Sequence, residues 1–210
     1  MRTFWTASAL ALSLCAAAAA QNGNTLKMDK PLAQGGMVSL TMNVGDLKVL
    51  PSDGAQVRLE IQSERADDKT MQHWVRQFNV AANRAEIDIH MPKNHEHCAD
   101  CYGNTSVTLY VPRRCDLKVE LGVGDLTVSG VEGNKQIHDG IGDLRVGIAG
   151  RNEYGHIETH TRIGDIDDPF NPGGQNGFLG KTEDFNLHGQ YNLKARVGIG
   201  DIHMVQEGKR

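Results

Sequence analysis

Leu121-Gly122-Val123-Gly124-Asp125-Leu126-Thr127-Val128 is the stretch whose reading decides the fold. It returns as Gly140-Ile141-Gly142-Asp143-Leu144-Arg145-Val146, as Ile163-Gly164-Asp165-Ile166 and as Ile199-Gly200-Asp201-Ile202-His203-Met204. An early copy is Val44-Gly45-Asp46-Leu47-Lys48-Val49. Asp143 follows Asp125 by 18 positions and Asp201 follows Asp165 by 36, twice as far. One fixed motif at a fixed period marks a repeat architecture.

Apolar parity shows what the motif does to the backbone. Apolar residues alternate at Val38, Leu40, Met42 and Val44, then resume out of phase at Leu47 and Val49. The same phase change separates Val119, Leu121 and Val123 from Leu126 and Val128, and Val197 and Ile199 from Ile202 and Met204. Side chains of a strand alternate faces with period 2. A spacing of three across Gly-Asp therefore needs a bulge or a corner, or the second run faces water. Gly permits close backbone approach or positive φ, and Asp bonds nearby backbone N–H groups. Gly45-Asp46, Gly124-Asp125, Gly142-Asp143, Gly164-Asp165 and Gly200-Asp201 thus read as structural corners between short strands sharing one core, each carboxylate tied to N–H groups of its own corner.

Outward from these repeats, the pattern predicts a mainly β chain with minor α content: a stacked short-strand, β-solenoid or β-helix-like domain with one short capping helix. Residues 25–50 read as two strands meeting at the first Gly-Asp corner. Val57, Leu59 and Ile61 alternate as a further strand. Asp67 and Asp68 offer an N-cap to a helix near 68–77, with Met71, Trp74, Val75 and Phe78 on the face that covers the core. A hairpin turns around Asn83-Arg84, and residues 167–177 carry too much Pro, Gly and Asn for regular structure.

The chain has 210 residues, 24 of them Gly, with 5% aromatics. It opens with Met1-Arg2 and an apolar run from Phe4 to Ala20, ending in Ala18-Ala19-Ala20 before Gln21. This is the form of a cleavable signal peptide over 1–20. The expected mature chain is a single β-repeat domain over 21–210, irregular over 21–114 and regular over 115–210, with no transmembrane segment. Formal net charge is −4 and no basic patch stands out, which argues against a nucleic-acid partner.

The loop His95-Glu96-His97-Cys98-Ala99-Asp100-Cys101 is the densest cluster of metal-ligand types. His95, His97, Cys98 and Cys101 suit a tetrahedral Zn²⁺ or a copper site. The competing reading is a disulfide among Cys98, Cys101 and Cys115, which export favours. Calcium is not expected at the corner aspartates: in calcium β-rolls the Asp stands two residues after Gly on a nine-residue repeat, whereas here it follows Gly directly. No cofactor is expected. His138, His156, His160, His188 and His203 alternate with apolar residues and read as surface groups.

The order strand, Val111-Pro112, strand, Gly122-Val123-Gly124-Asp125-Leu126-Thr127-Val128, Gly130, then further Gly-Asp-Leu/Ile turns resembles the bacterial "putative adhesin" family of unknown function. The copy at Val44–Val49 fits the same pattern, and the resemblance spans roughly 36–205. It implies an exported β-solenoid-like domain and brings no catalytic residues; the Cys/His loop and residues 167–177 lie outside the family pattern. The functional expectation is a non-enzymatic envelope protein, periplasmic or at the cell surface. It would act as an adhesin-like interaction or scaffolding module on a protein or polysaccharide. The alternative is a metal-binding envelope protein working through the Cys/His loop.

Overall fold

The computed structural model of the chain describes residues 24–92, 104–148, 150–169 and 179–207. The strands are β1 (Asn24–Pro31), β2 (Gly36–Val44), β3 (Asp46–Ser52), β4 (Gln56–Ser63), β5 (Val75–Ala81), β6 (Arg84–Ile89), β7 (Thr105–Pro112) and β8 (Cys115–Val123). They continue as β9 (Leu126–Val128), β10 (Lys135–Ile141), β11 (Leu144–Ile148), β12 (Tyr154–Ile163), β13 (Ile166–Asp167), β14 (Leu179–Asn186), β15 (Tyr191–Ile199) and β16 (Ile202–Gln206). Between β4 and β5 lies α1 (Asp68–Trp74). The fold is therefore mostly β with one α-helix among the described residues.

Two eight-stranded mixed sheets hold these strands. One has the order β1-β4-β7-β3-β9-β11-β16-β13, the other β14-β12-β15-β10-β8-β2-β6-β5. The long interiors are parallel, from β7 to β13 in the first sheet and from β12 to β6 in the second. Antiparallel pairs occur only at the margins, through β1/β4, β4/β7, β12/β14 and β5/β6. Every Gly-Asp motif joins a strand of one sheet to a strand of the other: β2 to β3, β8 to β9, β10 to β11, β12 to β13 and β15 to β16. Each such pair is called a rung below.

Matched register turns the apolar alternation into inward columns. In one sheet Leu47, Leu126, Leu144 and Ile202 stand on successive strands, and Val49, Val128, Val146 and Met204 form the next column. In the other, Leu40, Val119, Ile137 and Ala195 do the same. All twelve are buried in one core cluster drawn from both sheets. Burying one such aliphatic side chain is worth about 1.5–3 kcal/mol.

The rungs do not stack in chain order. The sequence is β2/β3, β8/β9, β10/β11, β15/β16, β12/β13, so the last rung in the chain lies between two earlier ones. The helix also differs from expectation. Asp67 caps it, accepting from Thr70 N–H at 2.8 Å, but it ends at Trp74 rather than near 77. Val75 is already extended and β5 pairs from there with β6, so Val75 and Phe78 serve a strand. Met71 and Trp74 supply the helix's buried face. Residues 25–50 hold three strands rather than two, because β1 pairs separately with β4. Most of the 167–177 loop lies outside the described residues.

The corner glycines are set by contact between rungs. A Cβ on Gly142 (φ +149°) would stand 1.9 Å from the carbonyl oxygen of Gly124. A Cβ on Gly45 (φ +113°), at the end of the stack, meets nothing nearer than 3.5 Å. Gly45→Ala should therefore cost only the backbone strain, about 1–3 kcal/mol. Gly142→Ala adds a clash with a fixed backbone and should cost clearly more. Thermal denaturation of the two variants checks this; equal losses would show that the close approach between rungs does not matter.

Candidate corner surface

The five corners stand side by side in the order Asp46, Asp125, Asp143, Asp201, Asp165. Three hydrogen bonds cross each interval between them. The N–H of Gly45, Gly124, Gly142 and Gly200 donates to the carbonyl of Val123, Ile141, Ile199 and Ile163 on the next rung, at 2.8–2.9 Å. The residue after each Asp donates to the next Asp carbonyl, as Leu126 to Asp143 at 3.0 Å and Leu144 to Asp201 at 2.9 Å. The third bond runs the opposite way through a side chain. Asp125 N–H donates to Asp46 Oδ1 (3.2 Å), Asp143 N–H to Asp125 Oδ1 (3.1 Å), Asp201 N–H to Asp143 Oδ1 (3.0 Å) and Asp165 N–H to Asp201 Oδ1 (2.7 Å).

Four of the five carboxylates, those of Asp46, Asp125, Asp143 and Asp201, thus hold the neighbouring corner, not their own as local turn chemistry predicts. The reason is directional. The corner turns the Asp N–H away from the backbone ladder, and only the preceding rung's side chain lies where that N–H points. Adjacent charges about 4.8 Å apart repel by roughly 1 kcal/mol in water, which these charge-assisted bonds offset. At the Asp165 end the row closes on a cation, Lys181 Nζ of β14. Near the Asp46 end Asn43 ties β2 to the chain beyond β6, its amide donating to Met91 O at 2.6 Å and accepting from Met91 N–H at 2.8 Å.

Beside the acidic row runs an exposed apolar one. Parity places Val44, Val123 and Ile199 inward; the chain begins to bend at these residues and leaves Val123 and Ile199 on the outside of the corner, while Val44 stays half-buried against the core. Val123 is 44% exposed, Ile141 48% and Ile199 46%. Strand register sets Val44, Val123, Ile141, Ile199 and Ile163 on neighbouring rungs and continues to Leu179, 68% exposed, on β14. From Val123 to Leu179, with Ile163 half-buried, four steps of about 4.8 Å make a ridge about 19 Å long. The signal available in sequence was the aliphatic residue always standing before Gly-Asp.

The next column inward is bare. A Cβ on Gly122, Gly140 or Gly198 would lie 2.4, 2.4 or 2.3 Å from the carbonyl oxygen of Asn43, Gly122 or Gly140, so no side chain fits. These glycines floor a trough bounded by Arg162 at one end and Asn43 at the other. Beyond it stand Thr41, Glu120, His138, Arg196 and His160 in register. Arg196 donates to Glu158 Oε1 at 2.8 Å and Lys194 to Glu158 Oε2 at 2.6 Å. These bonds hold the Glu158 carboxyl down at about 2.

Under the ridge the interior is not wholly apolar. Asp139 points inward between Leu121 and Val197, fully buried, and neither carboxyl oxygen has a hydrogen-bond partner among the described residues. Burial, aided by the Asp125 charge, pushes its carboxyl up to about 7; the Ile141 N–H tempers the rise without the geometry of a hydrogen bond. On the same strand Lys135 is 2% exposed and donates to Tyr154 Oη at 2.6 Å. Burial lowers its amine to about 8. Cys115 is a buried free thiol, pushed up to about 12 by burial.

The metal and disulfide candidates His95, His97, Cys98 and Cys101 lie outside the described residues. Among the described residues, no group of three or more His, Cys, Asp and Glu is placed to hold a metal ion. No described helix is long and apolar enough to cross a membrane.

No protein-family model matches the chain, and no curated protein matches it. Solved structures do resemble it. A "putative cell adhesion protein" from Clostridium sporogenes ATCC 15579 has a TM-score of 0.57 at 12% identity, covering 87% of this chain and 100% of that one. A "putative adhesin" from Bacteroides fragilis NCTC 9343 has a TM-score of 0.29 at 11% identity, covering 86% and 97%. A "Putative lipid binding protein" from Parabacteroides distasonis ATCC 8503 has 0.26 at 9%, covering 88% and 98%. The first shares the fold; the other two scores are too low to carry an argument.

Two measurements test this surface. Asp143→Ala removes the acceptor for Asp201 N–H and should cost about 1 kcal/mol, the size of a lost Asp cap. Asp143→Asn keeps an acceptor and should cost much less. Similar losses on denaturant unfolding would show that charge, not the bond, matters.

The second measurement concerns Asp139, whose folded value of about 7 lies above the unfolded value near 3.9. The folded protein binds the extra proton between these limits, so stability falls as pH rises from about 4 to about 7 and levels off above. The limiting slope is about 1.4 kcal/mol per pH unit. Asp139→Asn should remove this component. An unchanged slope in the variant, read from unfolding at several pH values, would show that Asp139 does not titrate in this window.

Proposed function

We propose that this chain is a non-enzymatic, exported envelope protein: an adhesin-like interaction or scaffolding module built as a β-solenoid-like stack. In this reading residues 1–20 direct export and the mature chain remains in the periplasm or at the cell surface. The observation that carries the proposal is the continuous aliphatic ridge held exposed at the corners. Monomeric soluble proteins seldom leave such residues contiguous, and contiguous apolar surface marks interaction sites. The shared fold with a protein described as a "putative cell adhesion protein" supports the reading. The rigid register of the rungs suits it too, because a surface whose backbone is fixed loses little order on contact.

The expected partner is a protein or polysaccharide of the envelope. The test is retention of the purified mature protein on envelope fragments, untreated, protease-treated or periodate-treated. The double variant Ile141→Lys, Ile199→Lys places two charges on the ridge without touching the core. It should lose at least about tenfold in retention while melting at the wild-type temperature, a loss of about 1.4 kcal/mol or more. Wild-type retention in the variant would remove the ridge from the function. Loss with one treatment of the fragments identifies the partner's chemistry.

A further inference from the structure

The corner glycines donate across the rungs, but their carbonyls are not treated alike. Among the described residues, the carbonyls of Gly124, Gly142 and Gly200 accept from no backbone N–H. A side chain serves one of them. Thr161 of β12, fully buried, donates its hydroxyl to Gly200 O of the adjacent rung at 2.9 Å.

Thr161 stands three positions before its corner glycine, Gly164, and Asp139 stands three before Gly142. The equivalent residues of the strands flanking β10 are the apolar Leu121 and Val197. The direction along the stack is also the same. Thr161 of β12/β13 reaches the corner of β15/β16, and Asp139 of β10/β11 adjoins the corner of β8/β9. A Cβ on Gly142 would stand 1.9 Å from Gly124 O and 3.3 Å from Asp139 Oδ2, so this carboxyl and that carbonyl border one point. We infer that Asp139 is a proton-operated pin: as a carboxylic acid it donates its O–H to Gly124 O, as Thr161 does to Gly200 O, and on losing the proton it releases the corner between β8/β9 and β10/β11.

The chemistry makes the pin conditional. A carboxylate and a carbonyl are both acceptors and cannot bond, whereas a carboxylic acid carries one O–H donor. Nothing around Asp139 replaces the proton. The flanking strands bring Leu121 and Val197 to its level, and the facing sheet brings Leu126, Leu144 and Ile202. The charges that face it are Asp125 and Asp143, at the two corners it joins, and both are negative. Lys135, on its own strand, lies four residues away and donates to Tyr154 Oη. Burial, the largest cause, and then Asp125 hold the carboxyl up at about 7. The pin is therefore in place where Asp139 keeps its proton and is lost as pH rises through that value. Val123 and Ile141 stand beside this corner, so its release loosens two residues of the ridge. The pin does not depend on what the ridge binds.

Amide hydrogen exchange tests it, read by NMR on the mature chain at about pH 5.5 and about pH 8.5 and corrected for intrinsic exchange. The N–H groups of Gly124, Leu126 and Asp143 bond across the Asp139 interval, to Ile141 O, Asp143 O and Asp125 Oδ1. Those of Gly200 and Ile202 bond across the Thr161 interval, to Ile163 O and Asp165 O, and serve as the reference. In the wild type, protection of the first three should fall at least about tenfold between the two pH values, and that of the reference pair less than about threefold. Asp139→Asn keeps a donor at every pH, and Asp139→Thr copies Thr161. Both variants should hold the Asp139 interval at either pH, and if one fails to fold the other decides. An equal fall in both intervals would mean that burial acts on the whole fold without a pin, and overturns the inference. So does a wild type whose protection does not change, or a fall that persists in a folded variant.

Discussion

Two parallel sheets can share one core only if the chain passes from one to the other within the height of a single strand spacing. At every Gly-Asp corner but the end one at Gly45 the available space is less than a methyl group: a Cβ on Gly200 would stand 2.0 Å from the carbonyl of Gly142. That constraint selects glycine and lets successive corners approach. It also turns one peptide N–H per corner out of the backbone ladder. A turned-out N–H beside a neighbouring rung needs an acceptor, and the Asp of that rung is the acceptor. The inward columns of Leu, Val and Ile stay in register across both sheets because the corners lock rung to rung.

Much of this was legible in the sequence. Parity located three corners, since no continuous strand keeps both runs around Gly124-Asp125 on one face, and recurrence of the Gly-Asp motif added the other two. Three features were not legible, for physical reasons. Which N–H each Asp bonds depends on the neighbour across the ladder, and Asp46 and Asp125 are 79 positions apart. Rung order depends on pairing rather than chain order, so the spacing of 36 between Asp165 and Asp201 hides that their rungs are adjacent. The ridge was misplaced because alternation assigns Val123 and Ile199 to the core, and only the onset of the bend swings them outward. The helix ran long because Val75 and Phe78 satisfy a helical stripe and a strand equally well, and pairing with β6 decided between them.

The interior of β10 stands apart from its neighbours. Its inward positions are Lys135, Ile137 and Asp139, where the adjacent strands carry Leu117, Val119 and Leu121 on one side and Leu193, Ala195 and Val197 on the other. Lys135 keeps a partner in Tyr154, whereas Asp139 meets only apolar rows and the back of the corner. A buried ionised carboxyl without a partner is costly, so the protonated form is the one that suits this site. Close outside it lies the corner at Gly142, where a Cβ would stand 3.3 Å from Asp139 Oδ2.

The insertion of β15/β16 between β10/β11 and β12/β13 has a consequence for how the protein is made. A chain emerging from the ribosome presents β10/β11 and β12/β13 before the β15/β16 rung that pairs with both of them. The space between them belongs to residues 191–206, which arrive after both. Until then both rungs present open parallel edges, the kind of edge that invites pairing with other chains. Contacts between distant parts of a chain close slowly. Completion therefore waits for β15 and β16 to enter a gap flanked on both sides, and a product truncated before Tyr191 lacks the segment that closes it.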